Sequence, residues 1–530
     1  MVGYAELHCI SNFTFLRGAS HPAELIQEAV QLGYSALALT DECSVAGVVR
    51  AHVAAVEQGL HLIIGSEFNL SDGRQLVLLA RNRNGYRSLV RLITRARLAA
   101  PKGHYQLSLS DIRHGDLTDC IALLPCDPLP VTGLAMQTRY DRLTQQANFI
   151  QELLPEHTWL ALEQPTNGFD RQHCSALCSV GRQTDLPLVA TGNVHMHTRN
   201  RQPLQDILTA IRLGTTITAA GHRLAGNAEH HLRSLILLQR LYPLALLRQS
   251  ITIAEQCSFS LKELHYEYPQ EFIPKKLNAT QYLRELTHIG MRSRWPGGIP
   301  EPIHRQVAHE LSLIEELGYE AYFLTVHDIV QFARDRNILC QGRGSAANSL
   351  VAYLLDITPI DPLNTGLVFE RFLSRERTTP PDIDIDFAAN RREDIIQYLY
   401  RKYGTDHVAM ACTMVTFRAR QAVRDVGFAL GFPSKILDDI SASLDARSAA
   451  ELPKSESLRA TFGEKVDSPR WRQLLHLAER LDNHPRHLGI HNGGMVLSGP
   501  PLSGLLPVEP TAISSESLSH CTTERPSIAV

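Results

Sequence analysis

Three carboxylates at every second position, Asp382, Asp384 and Asp386, lie in the run Pro380-Pro381-Asp382-Ile383-Asp384-Ile385-Asp386-Phe387. A period of two is that of a β-strand, so the aspartates share one face and Ile383, Ile385 and Phe387 the other. Same-face residues of a strand stand roughly 7 Å apart, close enough for neighbours to share divalent cations. Crowded carboxylates repel one another unless cations neutralise them. Two-metal phosphoryl or nucleotidyl transfer needs such clustering, because its ions sit about 3.5–4 Å apart and are bridged by carboxylate oxygens. Two plainer readings compete. A solvated acidic edge strand is one, although the apolar opposite face argues for packing on a core. A calcium loop is the other, with Asp382, Asp384, Asp386 and Glu393 at its first, third, fifth and twelfth places. Its sixth place needs glycine and holds Phe387.

Upstream, Gln341-Gly342-Arg343-Gly344-Ser345-Ala346-Ala347-Asn348-Ser349 precedes an apolar helix predicted through Leu355. A glycine-rich turn that opens a helix presents backbone N–H groups and the positive end of the helix dipole to a phosphate. The Gly-Lys-Ser/Thr of a P-loop is absent, which disfavours an ATPase. Between turn and aspartates, Arg371, Arg375 and Arg377 supply cations for a triphosphate or a nucleic-acid backbone, or else form a solvated basic face. Downstream, Arg418, Arg420 and Arg424 fall on a predicted helix after Thr416-Phe417. With Arg486, His487 and His491 they could line a groove for a nucleic-acid strand; surface solubility is the plainer account of each alone.

These residues need a framework. Residues 4 to 215 alternate apolar runs such as Ala36-Leu37-Ala38-Leu39-Thr40 and Leu76-Val77-Leu78-Leu79 with helical stretches, which predicts an α/β layered or barrel fold with its site at the strand C-termini. Residues 216–275 read as a linker with helices, 278–337 as helical, 338–430 as mixed α/β, and the stretch to about 500 as mostly helical. Residues 511–530, rich in Ser and Thr, lack any period and are expected to be a disordered tail. The 530-residue chain has 44% hydrophobic and 20% charged residues, an ordinary globular composition. Its 52 Lys+Arg against 55 Asp+Glu exclude a globally basic nucleic-acid binder but not a local basic groove. No apolar run approaches the roughly 20 residues of a membrane span, and no secretory signal is visible. The ten cysteines have no repeated CxxC spacing, which suggests reduced thiols in the cytoplasm. The closest pairs, Cys120/Cys126 and Cys174/Cys178, are weak metal-ligand candidates.

The blocks GRGSAANSLVAYLL from Arg343's turn, ERFLSRER (370–377), PPDIDIDF (380–387), VTFRARQAVRDVG (415–427) and HLGIHNGGMVLSG (487–499) resemble, in order, the palm and following blocks of bacterial DNA polymerase III alpha subunits, the C-family polymerases. YAELHCISNFTFLRGASHP (4–22) and LTDECSVAGVVRAH (39–52) are similar to that family's PHP (polymerase and histidinol phosphatase) domain, in wording most like the error-prone, translesion subtype. The resemblance implies an α/β chain: a PHP-type (β/α) barrel over 1–220, a linker and helical segment over 221–337, part of a mixed α/β palm over 338–415, and a thumb-like helical segment with the start of the returning palm over 416–510. It implies Asp382 and Asp384 as catalytic aspartates holding two Mg²⁺ ions, Gly344 and Ser345 on the incoming triphosphate, and Arg371 and Arg377 near the nucleotide. Arg418 and Arg424 become candidates for DNA contact. The implied reaction is attack of a primer 3′-hydroxyl on the α-phosphate of a deoxynucleotide, in damage-induced translesion synthesis. Primer–template DNA and dNTPs are the implied substrates, and mutasome proteins and a sliding clamp the partners of the whole family protein, with no membrane.

Two departures qualify that inheritance. In the PHP domain, His8, Asp41, Glu67 and His195 stand at metal-ligand positions, but Ile10, Arg17, Glu42, Gln75 and Asn193 replace other ligands. A complete trinuclear site cannot form; Glu42 leaves room for one residual metal, and a structural role is the expectation. The family pattern also leaves off near residue 511, before the family's third catalytic aspartate, so impaired polymerase activity and an absent clamp contact are expected of a truncated chain. The alternatives are a non-catalytic fragment that binds DNA or mutasome partners, and a PHP-type metal phosphoesterase.

Overall fold

The computed structural model describes residues 3–126, 136–269, 273–274, 276–376, 383–444, 448–454, 456–511 and 527–529. Seven strands form the first sheet: β1 (Ala5–Cys9), β2 (Ala36–Leu39), β3 (His61–Asn69), β4 (Gln75–Ala80), β5 (Cys120–Pro125), β6 (Thr158–Glu163) and β7 (Leu188–Thr191), in sequence order. β1–β2–β3 and β5–β6–β7 run parallel, and β4 is antiparallel to both its neighbours. A bridge between Cys9 and Val194 nearly closes the sheet into a barrel. These strands read as continuous apolar runs because both faces are covered, inside by their own side chains and outside by helices. Leu247, Ile253 and Phe259, expected in a linker, are buried in the same packing, which carries the barrel unit beyond residue 220.

A second core joins that barrel to the C-terminal helices. Leu204, Ile207 and Leu208 of helix Gln202–Arg212 pack with Val423, Val426, Leu474 and Leu477 from helices Ala419–Ala429 and Pro469–Arg480. Burying an aliphatic side chain is worth about 1.5–3 kcal/mol, so the barrel and these C-terminal helices stabilise each other as one packed body. Asp482 lies just past helix Pro469–Arg480 and accepts bonds from the Ser448 hydroxyl and the Ala449 N–H.

The third core is helical. Helices Ala279–Arg294, Glu301–Leu317 and Glu320–Asp335 surround the short helix Leu350–Leu354 and receive Phe369 and Phe372. A two-stranded antiparallel sheet, β8 (Cys340–Arg343) with β9 (Asp384–Phe387), lies on this core. The remaining sheet has the order β11–β10–β13–β12, from β10 (Val408–Thr416), β11 (Pro485–Leu497), β12 (Val508–Pro510) and β13 (Ser527–Ala529). Thus part of the segment expected to lack structure, β13, lies parallel to β10 and antiparallel to β12; residues 512–526 fall outside the described residues. Among the described residues, no helix is long and apolar enough to cross a membrane.

Candidate active site

Alternation along β9 places its residues as the period of two predicts. Asp384 and Asp386 are exposed, while Ile383 and Ile385 pack against the helical core and Phe387 packs beside Phe332 and Ile395. The Ile383 N–H also donates to the Tyr322 hydroxyl at 3.0 Å, which anchors the strand's start. Asp384 pairs across the sheet with Arg343, and Asp386 with Gln341. The side chain of Arg343 turns to Asp386 instead, with Nε 2.9 Å from Oδ2, leaving Asp384 outside that pair. Asp382 and Arg377 lie outside the described residues.

The glycine turn meets this carboxylate. Gly344 has φ +67°, the left-handed region that disfavours a side chain, and a Cβ there would come within 3.6 Å of Asp384 Oδ2. The following residues differ from expectation. Gly344–Asn348 form a 3₁₀ turn, and the α-helix covers only Leu350–Leu354. Its N-terminus is taken. Glu310, fully buried, accepts from the Leu350 and Val351 N–H groups at 3.0 Å each and from Ser349 Oγ at 2.9 Å. Burial raises the Glu310 pKa against these bonds. The dipole end is therefore satisfied by a carboxylate of the chain itself, and any phosphate contact falls to the Gly344–Ala347 turn. Sequence reasoning missed Glu310; a lone glutamate on an apolar helix face was its only signal.

Arg371, the last residue of the short turn Phe369–Arg371, is exposed, while Arg375 is engaged with Glu316 at 2.7 Å. Arg418 donates to Asn483 Oδ1 at 3.0 Å, and Arg424 pairs with Asp438 at 2.7 Å. Arg418 and Arg424 are both exposed, and each ties neighbouring elements together. His491 instead accepts the Gly493 and Gly494 N–H groups in a bulge of β11, where Arg392 holds the Asn492 carbonyl at 2.8 Å.

In the barrel, the expected ligand positions do come together, at the C-terminal ends of the strands. Their donor atoms are engaged. His8 meets Glu163 through Nδ1 at 2.7 Å and Glu67 through Nε2 at 2.8 Å. Arg17 reaches both Glu42 and Glu67, the latter at 2.6 Å. Asp41 accepts from the Ser11 N–H at 2.7 Å and from the Ser11 and Thr14 hydroxyls. His195 Nε2 lies 3.0 Å from Asn193 Oδ1 and its ring stacks on His230. Burial opposes a charged His8, yet Glu163 and Glu67 hold its pKa up to about 10. Burial likewise raises Glu67, but Arg17 and His8 outweigh it and hold the carboxyl down to about 2. Burial raises Asp41 to about 6. Arg17 thus sits as a fixed internal cation among carboxylates. Among the described residues, no group of three or more His, Cys, Asp or Glu is disposed to hold a metal ion, so the residual metal expected at His8, Asp41, Glu67 and His195 does not fit these residues as arranged. Glu163, the second partner of His8, was not anticipated; a glutamate ending an apolar strand was the available signal.

Residues 6–164 match the PHP domain, and residues 281–525 match the bacterial DNA polymerase III alpha NTPase domain. The chain carries a PHP domain and a bacterial DNA polymerase III alpha domain. It is 51% identical over 513 residues to a protein named error-prone DNA polymerase from Methylococcus capsulatus, covering 96% of this chain and 47% of that one. Proteins of the same name from Dechloromonas aromatica and Pseudomonas aeruginosa are 48% and 46% identical, over 97% and 98% of this chain and 49% of each relative. The chain spans about half the length of the curated relatives it matches. The family match continues to residue 525, past the point near 511 where the recognisable motifs end. The β8–β9 sheet, with Gly344 against Asp384, lies within the matched polymerase domain and is the candidate active site.

Proposed function

We propose that this chain carries the nucleotide-binding part of the palm of an error-prone DNA polymerase, the enzyme that adds dNTPs to a primer 3′-hydroxyl during translesion synthesis and DNA repair. The single observation that carries this reading is the exposed Asp384, outside the Arg343–Asp386 pair and facing the left-handed Gly344 turn. The polymerase family uses divalent metal in general; here Asp382 and Asp384 would hold two Mg²⁺ ions, whose charge would favour ionisation of a 3′-hydroxyl and offset that of pyrophosphate. The chain's own residues do the rest. Gly344, lacking a side chain, lets the backbone of the turn approach the triphosphate together with Ser345. Arg343 holds Asp386 aside, so that Asp386 orients the strand rather than binding metal. Arg371 and Arg377 supply positive charge for the nucleotide phosphates.

The barrel acts in this reading as a support. Of its candidate ligands, His8 and Glu67 are held in ion pairs and Asp41 and His195 in hydrogen bonds, and it shares a core with helix Ala419–Ala429, which disfavours the phosphoesterase alternative. Primer–template DNA is the macromolecular substrate, and mutasome proteins are partners of the assembled enzyme in the cytoplasm. Binding of a fluorescent dNTP to this chain, titrated with and without Mg²⁺, tests the reading. Mg²⁺-dependent binding that weakens at least tenfold in Asp384→Asn supports it; equal binding by both proteins contradicts it.

A further inference from the structure

A cavity of about 1040 Å³ opens between the barrel and the returning strands β11 and β12. No residue of β8, β9 or the Gly344 turn lines it, so it is separate from the candidate active site. Five cationic side chains face it, Arg17, Arg97, Lys102, Arg212 and Arg486, against two carboxylates, Glu42 and Glu509. Arg97 is neutralised by Glu509 at 3.3 Å, and Arg17 by Glu42 and Glu67. Lys102 and Arg212 enter no ion pair among the described residues, and the partner of Arg486 is Asp425 at 3.6 Å. Positive charge therefore accumulates in a concave site. Its neighbours register the field: His487 is shifted down by burial, then by Arg486 and Lys102, and Arg212 by burial, then by Arg17.

An excess of cations in a cleft with low-dielectric walls concentrates anions, and planar guanidinium groups match phosphate oxygens in pairs. The walls add an apolar component from Phe15, Leu16 and Leu488. Leu16 sits at φ +60°, a conformation costly for leucine. We propose that this cavity is a metal-independent binding site for a diphosphate group, with Lys102, Arg212 and Arg486 as its anion-binding residues. The same chemistry is offered by inorganic pyrophosphate and by a nucleoside diphosphate, whose base would lie on Phe15. The site needs no bound cation, because Arg17 already occupies the middle of the former ligand positions.

Calorimetric titration of the full chain in EDTA tests the site, with pyrophosphate, a deoxynucleoside diphosphate and a short single-stranded oligonucleotide as probes. Lys102→Ala and Arg212→Ala remove charges that enter no ion pair among the described residues, so melting temperature should stay within a few degrees. Pyrophosphate binding is expected to weaken about tenfold in each variant and to weaken further as salt is raised. If Phe15→Ala weakens the nucleoside diphosphate but not pyrophosphate, the ligand is a nucleotide; an equal effect on both assigns the site to the inorganic anion. Failure of both diphosphates to bind, binding of the oligonucleotide alone, or diphosphate binding indifferent to Lys102 and Arg212 would overturn the proposal.

Discussion

Replacing Arg17 by methionine removes the cation between Glu42 and Glu67 while keeping an unbranched chain in its place. Glu67 is 2% exposed and Arg17 19% exposed, so the pair is largely shielded from water. After the change only His8 remains to balance Glu67 and Glu163, to which it is bonded at 2.8 and 2.7 Å. Breaking a buried ion pair by removing one partner costs about 3–5 kcal/mol. Holding the Glu67 carboxyl from 4.5 down to about 2 corresponds to about 3 kcal/mol, shared between Arg17 and His8. An expected loss of about 3 kcal/mol lowers the melting temperature of a unit of this size by roughly 6–12 °C. A depressed carboxylate stabilises above its unfolded pKa and loses that contribution as pH falls, so the gap between wild type and variant should narrow between pH 5 and 2. Circular dichroism melts in EDTA, repeated with Mn²⁺, give the readout. The variant should regain part of its stability with the metal, because carboxylates lacking their guanidinium need another cation; the wild type should not shift. A variant as stable as wild type, or a wild type stabilised equally by Mn²⁺, would refute Arg17 as an internal cation.

Other consequences concern the remaining buried polar groups and the glycine turn. Glu310→Ala leaves the Leu350 and Val351 N–H groups and the Ser349 hydroxyl without an acceptor, and should cost about 2–4 kcal/mol in urea unfolding. Burial, then His21, pushes His484 down to about 3, so the unfolded chain takes up its proton first as pH falls below 6.5. Stability should drop by about 2 kcal/mol from this group between pH 7 and pH 5, and His484→Gln should remove that part of the slope. Gly344→Ala forces a side chain into φ +67° toward Asp384; a stability loss of about 1–2 kcal/mol with at least tenfold weaker dNTP binding is expected, read by melting and by fluorescent-nucleotide titration.

The period of two in the aspartate strand was legible because one face had to pack: Ile383, Ile385 and Phe387 find cores, and Asp384 and Asp386 are left outside. The barrel was legible in its apolar runs for the same reason. What stayed hidden depends on partners far away in sequence. Glu310 lies 40 residues from the Leu350 N–H that it accepts, and no local pattern marks it as the cap of another helix. Arg17 could be seen to replace a ligand, but its seat between Glu42 and Glu67 follows only from strands brought together by closure of the barrel. Arg418 and Arg424 could be placed on or beside a predicted helix, but their partners, Asn483 and Asp438, could not be seen. The boundary near residue 220 failed to anticipate that later helices cover the barrel, since amphipathic helices do not declare in sequence which sheet they will cover.

The claim that Asp384 belongs to a nucleotidyl-transfer site, and Asp386 to the strand's support, meets its most direct test in single-nucleotide incorporation on a primer–template with Mg²⁺. The assay compares Asp384→Asn with Asp386→Asn in a polymerase containing this palm. The account predicts incorporation lowered at least a hundredfold by Asp384→Asn and less than tenfold by Asp386→Asn, with both proteins folded. Equal loss in the two variants, or full activity in Asp384→Asn, would contradict it.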